Sequence, residues 1–217
     1  MQAWQAIEGI AAPLAQPDIN TDDIFPGPAA SPVLRGLVGG AGMSVETAGI
    51  NAFAAWRLHG DGTPKEDFVL NRPPFDRAVI LLGGDNFGCG SSRELAVWAL
   101  KGIGLRCIIA PSFGDIFYDN CIKNGVLPAR IDAIAQEQMI AFLTHAADPI
   151  LRVDLDKRVI STSDATFAFL IAEYPRTLLM DGVDEIDAAL ADPTTLDAFE
   201  ARYARENPWF GALSDRH

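Results

Sequence analysis

The stretch RAVILLGGDNFGCGSSRELAVWALKGIGLRCIIAPS (residues 77–112) decides the fold of this chain. Within it, the apolar run RAVILLGG (77–84) predicts a buried strand, and SSRELAVWALKGIG (91–104) predicts a helix opened by Ser and closed by Gly. The run RCIIAPS (106–112) predicts a second strand. Strands rich in Val, Ile and Leu that alternate with helices indicate right-handed βαβ units and a parallel sheet covered on both faces.

The pattern continues towards the C-terminus. FGDIFYDNCIKNG (113–125) predicts a helix and VLPARI (126–131) a strand, so residues 76–131 form a βαβαβ core. Residues 132–217 then predict a helix over 132–144, a β-hairpin around Val153 to Thr162, and an acidic helical tail.

The N-terminal part, residues 1–75, is rich in loops. Gln16 to Gly42 holds four Pro and several Gly, which predicts a long irregular segment of the kind that often binds ligands. A helix is predicted from Val45 to Trp56, followed by a turn, a short extended segment and another turn. We expect these parts to form one domain over residues 1–217.

The composition describes an acidic globular chain. Seventeen Lys and Arg residues against 29 Asp and Glu residues leave a formal charge of −12 over 217 residues, of which 49% are hydrophobic. Such a chain can bury a core, but its negative charge repels phosphate backbones and anionic lipids, so we expect no nucleic-acid or membrane partner. The N-terminus has no basic lead-in, and no apolar run reaches the ~18 residues of a membrane span, which predicts a cytoplasmic protein.

The three cysteines, Cys89, Cys107 and Cys121, are odd in number and form no CxxC pair. This pattern argues against a disulfide scaffold and against a zinc site. Iron–sulfur clusters usually take four Cys ligands, so we expect no metal or cofactor in this chain, and any cluster would belong to a partner.

The segment GGDNFGCGSSRE (83–94), which we call the anion loop, lies between the first predicted strand and its helix. Glycine lets a ligand approach the main chain, and a helix start leaves N–H groups unpaired, so we expect an anionic group to bind there. Three familiar loops do not match it. A Walker A loop would need a Lys, a dinucleotide fingerprint would need Gly in place of Arg93, and a nucleophile elbow would need GxSxG.

The functional groups of the anion loop are the hydroxyls of Ser91 and Ser92 and the guanidinium of Arg93. The planar fork of Arg donates two parallel hydrogen bonds to a carboxylate, so a small carboxylate substrate fits best. A purely structural alternative also stays open. In that alternative the two serines cap the helix, and Arg93 pairs with Glu94 or Asp85.

Several motifs surround this loop: GDNFGCGSSRE, then WAL, then IIAPSFGDIFYDNCIKNGVLP, with APLAQPDINTDDIFP (12–26) and DFVLNRPPF (67–75) before them. Together they resemble the small subunits of 3-isopropylmalate dehydratases, in the aconitase superfamily. The resemblance covers most of the chain and is most specific over residues 83–128. It implies an α/β fold, the swivelling β/β/α domain of that superfamily, with parallel βαβ units and a helical C-terminal tail.

The resemblance also implies a partner and a reaction. The partner is a large subunit that carries a [4Fe-4S] cluster, and the two chains would form a heterodimer or heterotetramer. The reaction is a hydro-lyase isomerisation of 2-isopropylmalate to 3-isopropylmalate in leucine biosynthesis, by removal and return of water. This chain would be active only with the large subunit.

Residue roles follow from the same resemblance. Ser91 matches the serine that takes the carbon-bound proton, Ser92 would bind the developing negative charge, and Gly90 lies beside both in the substrate-binding loop. Arg93 matches the arginine that holds a substrate carboxylate. Arg35 matches a second substrate-binding arginine, with a solvated surface arginine as its alternative.

Two departures from the family pattern keep other functions open. The family usually reads SSREHAPWAL, whereas this chain has Leu95 for His and Val97 for Pro, and the loop over residues 26–42 lacks the usual PARFL. The chain could therefore serve a related hydro-lyase that acts on another hydroxy di- or tricarboxylate, of homoaconitate or methylmalate type. A non-catalytic, carboxylate-binding assembly subunit is a further alternative. We also expect the 26–42 loop to be mobile in the isolated chain.

Overall fold

The structure is a computed structural model that describes residues 3–34, 43–90, 93–190 and 193–209. Its internal contacts divide the chain into a larger unit, Met1–Gly182, and a smaller unit, Val183–His217. The expectation of a single domain over residues 1–217 stays a prediction.

The larger unit is built on a mixed β-sheet. Its strands, within the described residues, are β1 (Ala6–Leu14), β2 (Ile80–Gly83), β3 (Cys107–Ala110), β4 (Leu127–Arg130), β5 (Ile150–Asp154), β6 (Val159–Ser161) and β7 (Thr166–Ala168). They lie in the order β4-β3-β2-β1-β5-β6-β7. Strands β1 to β4 are parallel, whereas β1 pairs antiparallel with β5, and β5, β6 and β7 form an antiparallel meander.

Short helices connect and cover these strands. Those of the larger unit are α1 (Thr21–Ile24), α2 (Val45–Ile50), α3 (Ala54–Arg57), α4 (Glu94–Gly102), α5 (Asp115–Lys123), α6 (Ala133–His145) and α7 (Glu173–Asp181). The smaller unit contains α8 (Glu185–Leu190) and α9 (Pro193–Glu206). Among the described residues, every helix is too short or too polar to cross a bilayer.

The parallel half of the sheet confirms the prediction of an α/β fold. Every side chain of β3 is fully buried, as are Ile80, Leu81 and Leu82 of β2. This burial on both faces is what a parallel sheet covered by helices requires, and it explains why these strands read as continuous apolar runs. Each such Ile or Leu stabilises the fold by about 1.5–3 kcal/mol.

Strand β1 lies at the centre of the sheet and was not predicted. Its first residues, Ala6 to Ile10, pair with β5, and its last, Ala11 to Leu14, pair with β2. Burial also changes along the strand: the residues that pair with β5 are partly or fully exposed, whereas Ala11 and Ala12, which pair with β2, are fully buried. A strand that changes environment half-way shows neither a clean alternation nor a continuous apolar run.

The predicted helix from Val45 to Trp56 is wrong as a single element, because the chain breaks between α2 and α3. Phe53 takes a left-handed backbone, with φ of 50°, and its N–H donates to the carbonyl of Ile24 over 2.8 Å. The amide of buried Asn51 meanwhile donates to the carbonyl of Pro26 over 2.9 Å and accepts a hydrogen bond from the hydroxyl of Ser31. These tertiary bonds replace the helical ones.

Two further predictions need correction. The short extended segment expected after residue 57 is instead a pair of 3₁₀ turns, Val69–Asn71 and Phe75–Arg77. The helix predicted to be opened by Ser begins later, at Glu94 of α4, and its N-cap is Arg93, whose side chain makes no capping hydrogen bond. The remaining predicted strands and helices of the core, and the hairpin of β5 and β6, are confirmed.

Candidate active site

The carboxyl ends of β1, β2 and β3 meet at one edge of the parallel half, because parallel strands all point the same way. The first loop, residues 15–20, follows β1, the anion loop follows β2, and Ser112 to Gly114 follow β3. Ligands of open α/β sheets bind in the crevice outside this edge. The topology therefore places the predicted loop where a site is expected.

Main-chain hydrogen bonds fasten the first loop and α1 to the anion loop. The bonds run from Asp18 N to Asp85 O over 2.9 Å, from Gly88 N to Ile19 O over 2.7 Å, and from Thr21 N to Cys89 O over 3.0 Å. An isolated β-bridge joins Asn20 and Cys89 in the same region. These bonds hold the first loop and α1 in a defined position against the anion loop.

The anion loop is also fastened to the end of β3, through Ser112. The Ser112 hydroxyl donates to the carboxylate of Asp85 and accepts a hydrogen bond from the main-chain N–H of Asn86 over 2.8 Å. The Ser112 carbonyl accepts the N–H of Phe87 over 3.0 Å. Asp85 is thus engaged by Ser112 and not by Arg93.

Two glycines of the anion loop have left-handed backbone but different surroundings. Gly88, with φ of 74°, is buried, and a Cβ placed on it would lie 2.2 Å from the ring of Phe117. Gly90, with φ of 93°, is exposed, and its nearest neighbours stand beyond 3.5 Å. Gly88 therefore serves packing, whereas Gly90 presents its backbone at the surface, where a ligand can approach it.

Arg93 lies at the exposed rim of this edge. Its guanidinium Nη2 stands 3.0 Å from Oδ1 of Asp22, and the two side chains are 47% and 60% exposed. An ion pair with this exposure is worth less than about 1 kcal/mol, so the carboxylate of a substrate can replace that of Asp22. The pairing of Arg93 with Glu94 or Asp85, considered in the structural alternative, is wrong.

The residues around Arg93 are held in place by other contacts. Asn20 caps α1, because its Oδ1 accepts the N–H groups of Asp22 and Asp23 over 2.7 and 2.9 Å. The carboxylate of Asp23 closes the capping box on Asn20 N over 3.0 Å. On the other side, Oε1 of Glu94 accepts a hydrogen bond from the amide of Asn124 over 3.0 Å. Glu94 is thereby directed away from the guanidinium.

The remaining predicted site residues, Ser91, Ser92 and Arg35, lie outside the described residues. Their roles, and the expected mobility of the 26–42 loop, stay predictions. The described part of that loop ends at buried Leu34, whose N–H donates to the hydroxyl of Ser31 over 3.1 Å.

The cysteines do not fit an iron–sulfur cluster. Cys107 and Cys121 are fully buried, and burial raises the pKa of both thiols well above the usual value. Burial first, and then the charge of Asp18, also raise the pKa of Cys89, which disfavours a reactive thiolate at that position. Over residues 3–34, 43–90, 93–190 and 193–209, no three His, Cys, Asp or Glu side chains converge on a common metal position.

Three further side chains, which were not predicted to lie at the site, hold this edge together: Asp18, Asp22 and Ser112. Asp18 and Asp22 belong to the quoted stretch APLAQPDINTDDIFP (12–26), and Ser112 ends the predicted strand RCIIAPS. No spacing in the sequence signals these contacts, because each joins residues that are distant in the chain.

Relatives of this chain match nearly its whole length. Residues 1–134 match the family described as the aconitase C-terminal domain. A 3-isopropylmalate dehydratase small subunit from Roseobacter denitrificans is 40% identical over 213 residues, which is 96% of this chain and 100% of the relative. The small subunit from Agrobacterium fabrum is 40% identical over 211 residues, with the same coverage. This chain belongs to the 3-isopropylmalate dehydratase small-subunit family.

A solved structure agrees with this assignment. The crystal structure of 3-isopropylmalate dehydratase from Methanocaldococcus jannaschii matches with a TM-score of 0.58 and 28% identity, over 82% of this chain and 90% of that chain. The resemblance predicted from the motifs is thereby confirmed, and so is the α/β fold class.

The two substitutions within the SSREHAPWAL motif, Leu95 and Val97, lie at packed positions of α4. Val97 is fully buried, and the partly buried Leu95 packs against the core. Both therefore contribute apolar surface, and neither is one of the groups that surround Arg93 at the rim.

Proposed function

We propose that this chain is the small subunit of a two-component hydro-lyase that interconverts 2-isopropylmalate and 3-isopropylmalate in leucine biosynthesis. The relatives reported above all bear this enzyme's name, and their length matches that of this chain. The related substrates of homoaconitate or methylmalate type, and a purely non-catalytic role, have no such support.

The observation that carries the proposal is the position of Arg93. Its guanidinium stands at the carboxyl edge of the sheet, where Asp22 is a weak and displaceable partner. Isopropylmalate has two carboxylates, and a guanidinium fork binds one of them through two parallel hydrogen bonds. Binding at this point would bring the substrate's carbon skeleton against the end of the anion loop.

We assign the chemical roles in this chain by motif. Ser91, as its alkoxide, takes the carbon-bound proton, and the electrons of the broken C–H bond form the new C=C bond as the C–O bond breaks. The departing hydroxide takes up a proton from an acid group of the partner and leaves as water. Ser92 binds the negative charge that develops on the substrate carboxylate, and Gly90 lies next to the two serines in the substrate-binding loop. Arg35 holds the second carboxylate. Water then returns with hydrogen and hydroxyl exchanged between the two carbons.

The partner completes the site. We propose, from the resemblance to the family, that a large subunit carries the iron–sulfur cluster, which would supply Lewis-acid chemistry at the departing hydroxyl. Whether the pair is a heterodimer or heterotetramer stays open, and a cytoplasmic location stays a prediction from the sequence.

Replacement of Ser91 tests the proposal. In the complex with the large subunit, Ser91→Ala should reduce kcat for isopropylmalate by about 10³-fold or more, because no other group would be positioned to take the proton. Co-purification of the two subunits should be unchanged. Ser161→Ala, which removes an exposed hydroxyl of β6, is the matched control and should retain full activity.

Unchanged turnover in Ser91→Ala would remove this residue from the reaction. A panel of hydroxy acids tests the substrate separately. If the wild-type complex converts homoaconitate or methylmalate but not isopropylmalate, the proposed substrate is wrong even though the reaction class stands.

A further inference from the structure

Asp18 and Asn86 share an unusual backbone and face each other across the first loop and the anion loop. Both are non-glycine residues with left-handed backbone, with φ of 55° and 54°. Nδ2 of Asn86 donates a hydrogen bond of 2.7 Å to Oδ1 of Asp18. Left-handed residues other than Gly are retained where the surrounding contacts hold them in place, and they cluster at functional sites.

Each member of the pair is held from a second direction. The main-chain N–H of Asn86 donates to the hydroxyl of Ser112 over 2.8 Å, which links it to the end of β3. The carbonyl of Asp18 accepts a hydrogen bond from the thiol of Cys89 over 3.4 Å, and its N–H donates to Asp85 O. The side-chain bond between Asp18 and Asn86 therefore joins the loops that follow three neighbouring strands.

We propose that Asp18 and Asn86 are a positioning pair that fixes the first loop against the anion loop and so sets where Arg93 meets the substrate carboxylate. This inference rests on the proposed function. Asp22, which forms the ion pair with Arg93, lies in α1, shortly after Asp18. The Asp18–Asn86 bond and the Asp22–Arg93 ion pair therefore connect the first loop and α1 to the anion loop at two separate points. Looser loops would leave Arg93 less well aligned with the reacting carbons.

Exchanging the two side chains distinguishes a specific Asp18–Asn86 bond from a general packing role, because only a specific bond would be restored by the exchange. Asn86→Asp places a carboxylate against that of Asp18, which breaks the bond and adds repulsion. The double variant Asp18→Asn with Asn86→Asp restores one amide, one carboxylate and the original charge, with donor and acceptor exchanged. Because Asn and Asp both tolerate left-handed backbone, neither change adds backbone strain.

In the complex with the large subunit, we expect Asn86→Asp to lower kcat/KM for isopropylmalate by about 10-fold or more, mainly through kcat. The double variant should return kcat/KM to within about 3-fold of wild type, which measures the coupling directly. Asp61→Asn exchanges the same two residue types in an exposed turn, with a charge change of one unit in the opposite direction, and should have no effect. A double variant no better than the single one would overturn the proposal.

Amide hydrogen exchange on the full-length chain provides a readout that does not depend on activity. The N–H groups of Gly88 and Thr21, which cross between the two segments, should exchange faster in Asn86→Asp and return to wild-type rates in the double variant. Asn86→Gly keeps the left-handed backbone and removes the amide, so it serves if Asn86→Asp fails to fold. If Asn86→Gly has the amide exchange rates and the kcat/KM of wild type, the positioning role of Asp18 and Asn86 is wrong. If the wild-type complex does not act on isopropylmalate, only the proposed function is wrong.

Discussion

The two halves of the sheet use their strands differently. In the parallel half, β2 and β3 are buried on both faces, and the loops that follow β1, β2 and β3 gather at one edge. In the antiparallel half, β5 alternates exposed and buried residues, and successive turns lie at opposite edges. Only an arrangement of the first kind brings several loops together, which is why the candidate site lies there.

Exposed ion pairs in the two halves of the sheet join different kinds of element. The exposed pair of Arg152 with Glu8, at 3.6 Å, links β5 to β1 along regular strands. The equally exposed pair of Arg93 with Asp22 links two loops at the carboxyl edge. Exposure alone would rank the two pairs as equivalent and weak. Their location in the topology separates a surface contact from a candidate ligand-binding group.

The largest effect is expected from Gly88→Ala, at the tightly packed edge. The new Cβ would meet the Phe117 ring at 2.2 Å on a backbone with φ of 74°, so the free energy of unfolding should fall by about 3 kcal/mol or more. Gly62→Ala is the matched control, because Gly62 has φ of 87° with open space around it, and should cost about 1 kcal/mol. Urea unfolding measures both, and equal losses would show that the edge is not tightly packed.

The next effect concerns the two arginines compared above. Arg93→Lys keeps the charge but removes the planar fork, so kcat/KM of the complex should fall by about 100-fold, which corresponds to ~2.7 kcal/mol. Arg152→Lys makes the same change in the antiparallel half and should leave kcat/KM unaltered. Steady-state kinetics with isopropylmalate, together with melting curves for both variants, checks this. Similar kinetics in the two variants would erase the distinction between the pairs.

The smallest effect is a pH dependence that originates in the antiparallel half. The main-chain N–H of Lys157 lowers the pKa of Asp154, burial opposes this in part, and the ammonium of Lys157 lowers it further. A carboxyl whose pKa is lower in the folded state stabilises the fold above its unfolded pKa, and this contribution is lost as pH falls through the folded pKa. Below about pH 4, the free energy of unfolding should therefore decrease less steeply with falling pH in Asp154→Asn than in wild type.

Urea titrations of both proteins between about pH 5 and pH 2 measure that difference. Asp164→Asn, in the exposed turn before β7, is the control and should follow wild type. Parallel curves for wild type and Asp154→Asn would contradict the expectation.

The sequence predicted the parallel half well, because continuous apolar strands bounded by Gly and helices with clear ends are local signals. Strand β1 was not predicted, because it is parallel to β2 and antiparallel to β5. Its sequence therefore shows neither the continuous apolar run of a buried parallel strand nor the alternation of a half-exposed antiparallel strand. The helix from Val45 to Trp56 failed because Phe53 is held by a carbonyl of a distant segment. Local patterns carry no information on such contacts.

The candidate site likewise has features that the sequence predicted and features that it could not predict. Glycine spacing and the motif located the anion loop and Arg93, since these lie within one short stretch of sequence. The partners of Arg93 and Asn86 could not be predicted, because Asp22 and Asp18 reach them only through the pairing of β1 with β2. Residue chemistry was therefore readable from the sequence, whereas the contacts that orient it were not.

The central position of β1 has a consequence for biosynthesis. This strand is translated before both of its sheet neighbours, which are β2, paired from Ile80, and β5, paired from Ile150. The edge of nascent β1 that pairs with β5 must therefore stay unpaired long after β2 has been translated. Such long sequence separations slow folding and expose strands to aggregation. We expect the yield of folded protein in cells to depend on chaperones that shield β1 until β5 has been translated.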